Sequence, residues 1–192
     1  MTVWHWVRHG PTHEKAFVGW RDVPADLSDT AVIARLDAEL PRPALVVSSD
    51  LVRATATADV LMEGRQRLPN VPDMREFDFG DWDGLHFTQV SERDPVLSRR
   101  YWEEPGDVAP PNGESWNAAA ARVAPFVDRM NRDHPEAHIV AVAHFGIIMT
   151  QIERASGLSA YEVLGHRIDN LSVTRLVHEG GLWRVETINH RP

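Results

Sequence analysis

The sequence WHWVRHGPT at residues 4–12 decides the fold, because an apolar run stops there and three unusual residues follow at once. We predict a buried strand over residues 2–7, since this run is short, aromatic and partly β-branched. Arg8, His9 and Gly10 then stand at the carboxyl end of that strand. An anion site at such a place needs a fixed charge, a nucleophile or proton carrier, and backbone that can approach the ligand. The tripeptide alone is weak evidence, because a charged strand end before a turn has the same appearance.

The composition is that of a globular chain with one sizeable core. The sequence has 192 residues and 43% hydrophobic content, so we predict a single domain over residues 1–192. A formal net charge of -8 argues against general binding to nucleic acid or to an anionic membrane. The sequence has no cysteine, which excludes disulfides, thiol nucleophiles and thiolate metal sites. Without a signal-like start or a membrane-length apolar window, we expect a cytoplasmic protein, and a homodimer remains open.

Strands and helices alternate along the rest of the sequence. We predict further strands over residues 44–47, 71–74, 139–143, 170–177 and 182–188. We predict helices over residues 29–40, 51–62, 86–101, 114–133, 145–155 and 160–164. Ser28 and residues 48–50 are the expected helix caps, Pro95 interrupts one helix, and Pro125 is expected to kink or divide another. Gly157 is expected to close the helix before it.

This alternation predicts an α/β fold, a three-layer α/β/α sandwich. The central sheet is expected to be mostly parallel, and the last two strands form an antiparallel edge hairpin around residues 179–181. Residues 77–113 are expected to form a small excursion over the site. Ligands of such sheets bind beyond the carboxyl ends of the strands. Arg8, His9, Arg53 and His144 each follow such an end, so we expect them to converge.

Five sequence blocks resemble the histidine phosphatase superfamily, which includes the cofactor-dependent phosphoglycerate mutases. The blocks occur in family order and cover nearly the whole chain. They are Arg8-His9-Gly10 with Thr12, Ser49 to Ala54 with Thr57-Ala58, Glu76 with Gly80, Trp82 and Gly84, Asn112 to Ser115, and His144 with Gly146.

This resemblance implies a mechanism. His9 would attack phosphorus and form a phosphohistidine that water later hydrolyses. Arg8, Arg53 and His144 would hold the phosphoryl oxygens, and Glu76 would exchange protons with the leaving group and the water. No cofactor and no metal is implied, because arginines supply the positive charge.

Some assignments have competitors. Asp78, Asp81 and Asp83 compete with Glu76 for the acid role. A shared metal on His5, His9 and His13 is disfavoured, since residues four apart on a strand are roughly 13 Å apart. His5 is interpreted as a core histidine, and His13 is left without a role. The candidate substrate contacts are Thr12, Lys15, Arg21, Arg99, Arg100, Glu114 and Ser115.

Three functions follow from the resemblance. The first is hydrolysis of a small phosphorylated metabolite, favoured because the segment between Glu76 and Glu114 is too short to shield a phosphoenzyme from water. The second is a mutase, in which Arg99 and Arg100 would bind a substrate carboxylate. It is less favoured, because an exposed arginine pair is usually a solvated helix face and the chain is short for a mutase. The third is a catalytically idle module that binds a phosphorylated ligand.

Overall fold

The computed structural model describes residues 1–192 and is built on a six-stranded sheet with the order β3-β2-β4-β1-β5-β6. Strands β3, β2, β4 and β1 are parallel to one another, whereas β5 and β6 form an antiparallel hairpin at the edge. This confirms the predicted sheet. The strands are β1 (Thr2–Arg8), β2 (Leu45–Ser48), β3 (Gln66–Arg67), β4 (His138–Ala143), β5 (Val173–Glu179) and β6 (Leu182–His190).

Helices cover both faces of the sheet, as the predicted three-layer sandwich requires. The alternation of side chains along β1 places Trp4 and Trp6 in the core beneath α5 and α6, and Val7 in the core beneath α1 and α2. The helices are α1 (Thr30–Glu39), α2 (Val52–Val60), α3 (Phe87–Arg93), α4 (Pro95–Glu103), α5 (Trp116–Asp133), α6 (Phe145–Ser156) and α7 (Ala160–Val163). None of these helices combines the length and the apolar character needed to cross a bilayer.

One predicted strand was wrong, and one of the two alternatives expected at Pro125 was not found. The strand expected over residues 71–74 is instead a 3₁₀ turn, Pro72–Met74, because a proline that opens the segment has no N–H to give to a sheet. The neighbouring strand is β3, whose Gln66 N–H donates to the carbonyl of Ala44. The expected division at Pro125 does not occur, since α5 continues through it and its apolar face is buried along its length.

Neither predicted cap holds its helix. The N-cap of α1 is Asp29 rather than Ser28, and its carboxylate accepts a bond from the Val32 N–H at 3.1 Å. No residue of the segment 48–50 caps α2; a carboxylate from the loop after β1, that of Asp22, accepts the Val52 N–H at 2.7 Å. The side chains of Ser49 and Asp50 are therefore free to bond to His144 and Arg75 instead.

The topology brings together two distant parts of the chain at the carboxyl ends of the two central strands. β1 and β4 are parallel neighbours with Arg8 opposite Ala143. His9 follows one strand and His144 follows the other, and the His9 N–H donates to the Ala143 carbonyl at 3.1 Å. The excursion carries α3 and α4, which pack on their own small core of Trp82, Val90 and Tyr101.

Candidate active site

His9 is buried, and one of its ring nitrogens is held in place. Its Nδ1 lies 2.7 Å from the Gly10 carbonyl oxygen, which can only accept, so Nδ1 carries the proton. The lone pair is therefore on Nε2. Burial, followed by the charge of Arg53, lowers the pKa of His9 to about 3. The ring is neutral at physiological pH, with an unprotonated Nε2.

Two contacts fix the backbone around this ring. The Asn170 side chain donates to the His9 carbonyl at 2.8 Å, and the Gly10 N–H donates to the Thr57 hydroxyl at 3.0 Å. The Thr57 hydroxyl itself donates to the Arg53 carbonyl at 2.7 Å. These bonds tie the turn after β1 to α2, which also carries Arg53.

His144 is fully buried beside His9, with the two ring centroids 5.1 Å apart. Arg53 donates through Nε to His144 Nδ1 at 3.2 Å, and because arginine only donates, Nδ1 is unprotonated. The proton is on Nε2, which lies 2.6 Å from the Ser49 hydroxyl. Burial first, and then the neighbouring His9 and Arg53, hold the pKa of His144 well below its usual value.

Two guanidinium groups border the histidines. Arg53 is buried and donates to the carbonyls of Gly19 at 2.6 Å and Arg21 at 2.9 Å, which anchors the loop after β1. Arg8 donates through Nη1 to the Ile168 carbonyl at 2.6 Å and stacks over Phe145, with 5.5 Å between its Cζ and the ring centroid. The Nε of Arg8 is buried and has no hydrogen-bond partner. A buried donor without a partner is costly, and no other group of the protein competes for this N–H.

Glu76 is a buried carboxyl group held by backbone. Its Oε1 accepts from the N–H groups of Phe77 at 2.9 Å and Gly146 at 3.0 Å. Burial raises the pKa of Glu76, although these bonds and the charges of Arg53 and Arg8 oppose the shift. A Cβ on Gly146 would lie 2.5 Å from Oε1, so the glycine is required for this close approach.

A second set of residues holds the segment before Glu76. Arg122 of α5 donates to the carbonyls of Asp73 at 2.7 Å and Arg75 at 3.1 Å. The Trp20 indole donates to the Glu76 carbonyl at 2.8 Å. The sequence reasoning missed both residues. The one signal for Arg122 was its place beside Val123, at the border of the apolar face of α5, and no local signal pointed to Trp20.

The structure brings together Arg8, His9, Arg53, Glu76 and His144. The three competing aspartates have partners of their own: Asp78 accepts the Gly80 N–H, Asp81 pairs with Arg93, and Asp83 pairs with Arg21.

The candidate substrate contacts have mostly structural partners. Arg21 is paired with Asp83, Glu114 is paired with Arg122, and Ser115 is the N-cap of α5. The Thr12 hydroxyl accepts only the Glu14 N–H, at 3.4 Å, and Lys15 is exposed. A substrate contact by either residue stays a prediction.

The Arg99–Arg100 pair points into solvent. Both residues are exposed on α4, and Arg100 pairs with Glu104 one turn later at 3.2 Å. The pair lies on the surface of the excursion, and neither arginine bonds to Arg8, His9, Arg53, Glu76 or His144.

Comparison with known proteins agrees with this geometry. A model of the histidine phosphatase superfamily (branch 1) matches residues 5–191. The chain belongs to this superfamily. A solved structure of a mycobacterial glucosyl-3-phosphoglycerate phosphatase superposes with a TM-score of 0.85 and 28% identity, over 99% of each chain. A 2,3-bisphosphoglycerate-dependent phosphoglycerate mutase of Methylobacterium is 30% identical over 82% of this chain and 82% of its own.

Other relatives are longer proteins than this chain. A bifunctional protein of Mycobacterium tuberculosis is 31% identical over 85% of this chain, but the match covers 46% of that protein. The chain thus spans about half the length of the first curated relatives it matches.

Proposed function

We propose that this protein is a phosphatase that hydrolyses small phosphomonoesters through a phosphohistidine on His9. The observation that carries the proposal is the free Nε2 of a neutral, buried imidazole beside two guanidinium groups. A nitrogen lone pair with its ring fixed by the Nδ1 bond is a ready nucleophile for phosphorus.

The first step forms the bond from His9 Nε2 to phosphorus and breaks the bond from phosphorus to the ester oxygen. The leaving oxygen takes the proton of Glu76 and departs as an alcohol. In the second step water attacks phosphorus, the N–P bond breaks, and the proton of the water returns to Glu76. The raised pKa of Glu76 supports this role, because it favours the protonated acid that the first step requires.

Arg8 and Arg53 would stabilise the negative charge on the phosphoryl oxygens. The unpartnered Nε of Arg8 offers one charge-assisted hydrogen bond at no cost to another contact. His144 can donate to the anion only after Nδ1 gains a proton and loses the bond from Arg53 Nε, since its other proton goes to Ser49. A bound dianion would favour that protonation.

Hydrolysis is favoured over mutase activity, although relatives with both activities exist. A mutase must hold a substrate that carries a carboxylate, and the arginine pair proposed for that task is exposed and partly occupied by Glu104. The phosphatase and the mutase described above are both named for small phosphorylated molecules, which supports a substrate of that class.

The test is hydrolysis of 4-nitrophenyl phosphate in the presence of EDTA, with a rapid alkaline quench to trap the acid-labile phosphohistidine. We expect the wild-type protein to hydrolyse the substrate and to yield trapped phosphohistidine, and we expect His9→Ala to do neither. The control His13→Ala should do both, because the His13 ring is exposed and pairs with Asp26. Turnover that EDTA abolishes, or that survives in His9→Ala, would refute the proposal. Interconversion of phosphoglycerates after priming with 2,3-bisphosphoglycerate would favour the mutase.

A further inference from the structure

A pocket with apolar walls lies beside the Glu76 carboxyl group. Six aromatic side chains form most of its wall: Phe77, Phe79, Tyr101, Trp102, Trp116 and Phe145. Gly146 also lines it, and this residue and Phe77 are the two whose N–H groups bind Glu76. The pocket therefore begins where the carboxyl group is held.

The same pocket reaches the phosphate side of the site. Phe145 is the ring over which the Arg8 guanidinium stacks, and it follows His144 directly in the chain. The opposite wall comes from the excursion, through Tyr101 and Trp102 of α4. A molecule with its phosphoryl group between the arginines would thus extend past Glu76 into this pocket.

None of the lining residues is charged. The Trp116 indole N–H, a polar group of this wall, is already bonded to Glu153 at 2.5 Å. A carboxylate or a second phosphate that entered the pocket would lose its water and gain no ion pair, which is strongly unfavourable. An apolar group would instead be removed from water against aromatic rings, which is favourable.

We propose that the leaving group of the substrate is an alcohol with an apolar ring or a branched alkyl group, and that this aromatic pocket binds that group. The inference rests on the proposed function, because it assigns the pocket to the side of Glu76 on which the leaving oxygen is protonated. The enclosed free volume is about 30 Å³. Since one water needs about 10–15 Å³ by the same measure, the pocket takes the edge of one ring.

Three phosphomonoesters with alcohol leaving groups test this assignment: 2-phenylethyl phosphate, ethyl phosphate and 3-phosphoglycerate. Their leaving oxygens are all alkoxides, so differences report binding of the remainder. We expect kcat/KM for 2-phenylethyl phosphate to exceed that for ethyl phosphate by about tenfold or more. We expect 3-phosphoglycerate to be the poorest of the three. Equal rates for the first two, or a preference for 3-phosphoglycerate, would overturn the inference.

A pair of variants locates the effect. Trp102 is 40% exposed, so Trp102→Ala is expected to fold and to lose most of the preference for 2-phenylethyl over ethyl phosphate. Phe87→Ala is the control, because Phe87 is 60% exposed on α3 and lies outside the pocket. A preference that survives Trp102→Ala, or that falls equally in both variants, would count against the pocket.

The two proposals fail differently. If ethyl phosphate and 4-nitrophenyl phosphate are hydrolysed but the phenyl group brings no advantage, only the pocket assignment is lost. If no phosphomonoester is hydrolysed, both are lost.

Discussion

Two pairs of histidines stand on or directly after β1 and β4, and the two pairs differ in what surrounds their rings. His5 lies in the middle of β1, and His9 follows the last residue of that strand. His138 is the first residue of β4, and His144 follows its last residue. The ring centroids are 5.4 Å apart in the His5–His138 pair and 5.1 Å apart in the His9–His144 pair. Distance between rings therefore does not separate them.

The pairs differ in what their nitrogens do. His5 Nε2 lies 3.1 Å from His138 Nδ1, so these two rings satisfy each other. His9 and His144 do not bond to each other; each is held by other groups, and His9 retains a free Nε2.

The pKa is equally uninformative between the pairs. Burial is the main cause for both His5 and His9, and both pKa values are lowered to about 3. A strongly shifted histidine is therefore no sign of function by itself in this protein. Arginines lie near both pairs, since Arg175 and Arg65 also help to lower the pKa of His5. The free Nε2 of His9 and the buried carboxyl group of Glu76 set the second pair apart.

The largest expected effect is on activity when each pair loses its β1 histidine. His9→Ala should lower kcat on 4-nitrophenyl phosphate at least about 10⁴-fold, because the nucleophile is removed. His5→Gln should keep activity within a fewfold, since this ring lies in the other pair. Steady-state kinetics on both proteins, with circular dichroism to check folding, makes the comparison. Similar losses in the two variants would show that the pairs are not functionally distinct.

The next effect separates the acid from the nucleophile. Glu76→Gln keeps the shape of the side chain but cannot give a proton. We expect a loss of about 10²–10⁴-fold in kcat with ethyl phosphate, whose leaving oxygen needs protonation, and a much smaller loss with 4-nitrophenyl phosphate. Equal losses on both substrates would assign Glu76 a structural role only.

A smaller effect concerns pH. Because the pKa of Glu76 is raised, its protonated form persists to higher pH than that of an ordinary glutamate, and kcat for ethyl phosphate should fall as pH rises through that pKa. His9 stays neutral down to about pH 3, so it should contribute no acid limb above about pH 4. Measured pH profiles check both limbs. Glu76→Gln should lack the alkaline fall, and a fall that persists there would belong to another group.

The sequence predicts the part of this fold that depends on local pattern. Strand β4 and helix α6 were expected at residues 139–143 and 145–155 and occur at His138–Ala143 and Phe145–Ser156, because an apolar run and a glycine define their ends. Gly157 indeed closes α6 with a φ of 72°. Strand β3 escaped prediction because its two residues pair with β2 through backbone bonds alone.

The sequence predicts those site residues that belong to recognisable motifs. It does not predict the contacts that residues far apart in the chain make to hold them. The five convergent residues follow strand ends or stand in recognisable blocks. The Asn170 side chain reaches the His9 carbonyl across 161 positions, and Asp22 caps α2 from 30 positions away. Such contacts depend on the assembled sheet and leave no local trace in composition or spacing.

The smallest expected effect is on the pH dependence of the free energy of unfolding, and in this respect His5 and His9 should behave alike. The unfolded chain binds a proton on each histidine near pH 6.5, whereas folded His5 and His9 bind theirs only near pH 3. Between these values the unfolded state holds more protons, so acidification through this window lowers the free energy of unfolding. Each histidine contributes at most about 1.4 kcal/mol per pH unit. Urea unfolding of His5→Gln and His9→Gln between pH 7 and pH 4.5 should give shallower pH dependences than the wild-type protein. A slope that stays unchanged in one variant would mean that this ring is already protonated when folded, and for His9 that would remove the neutral nucleophile.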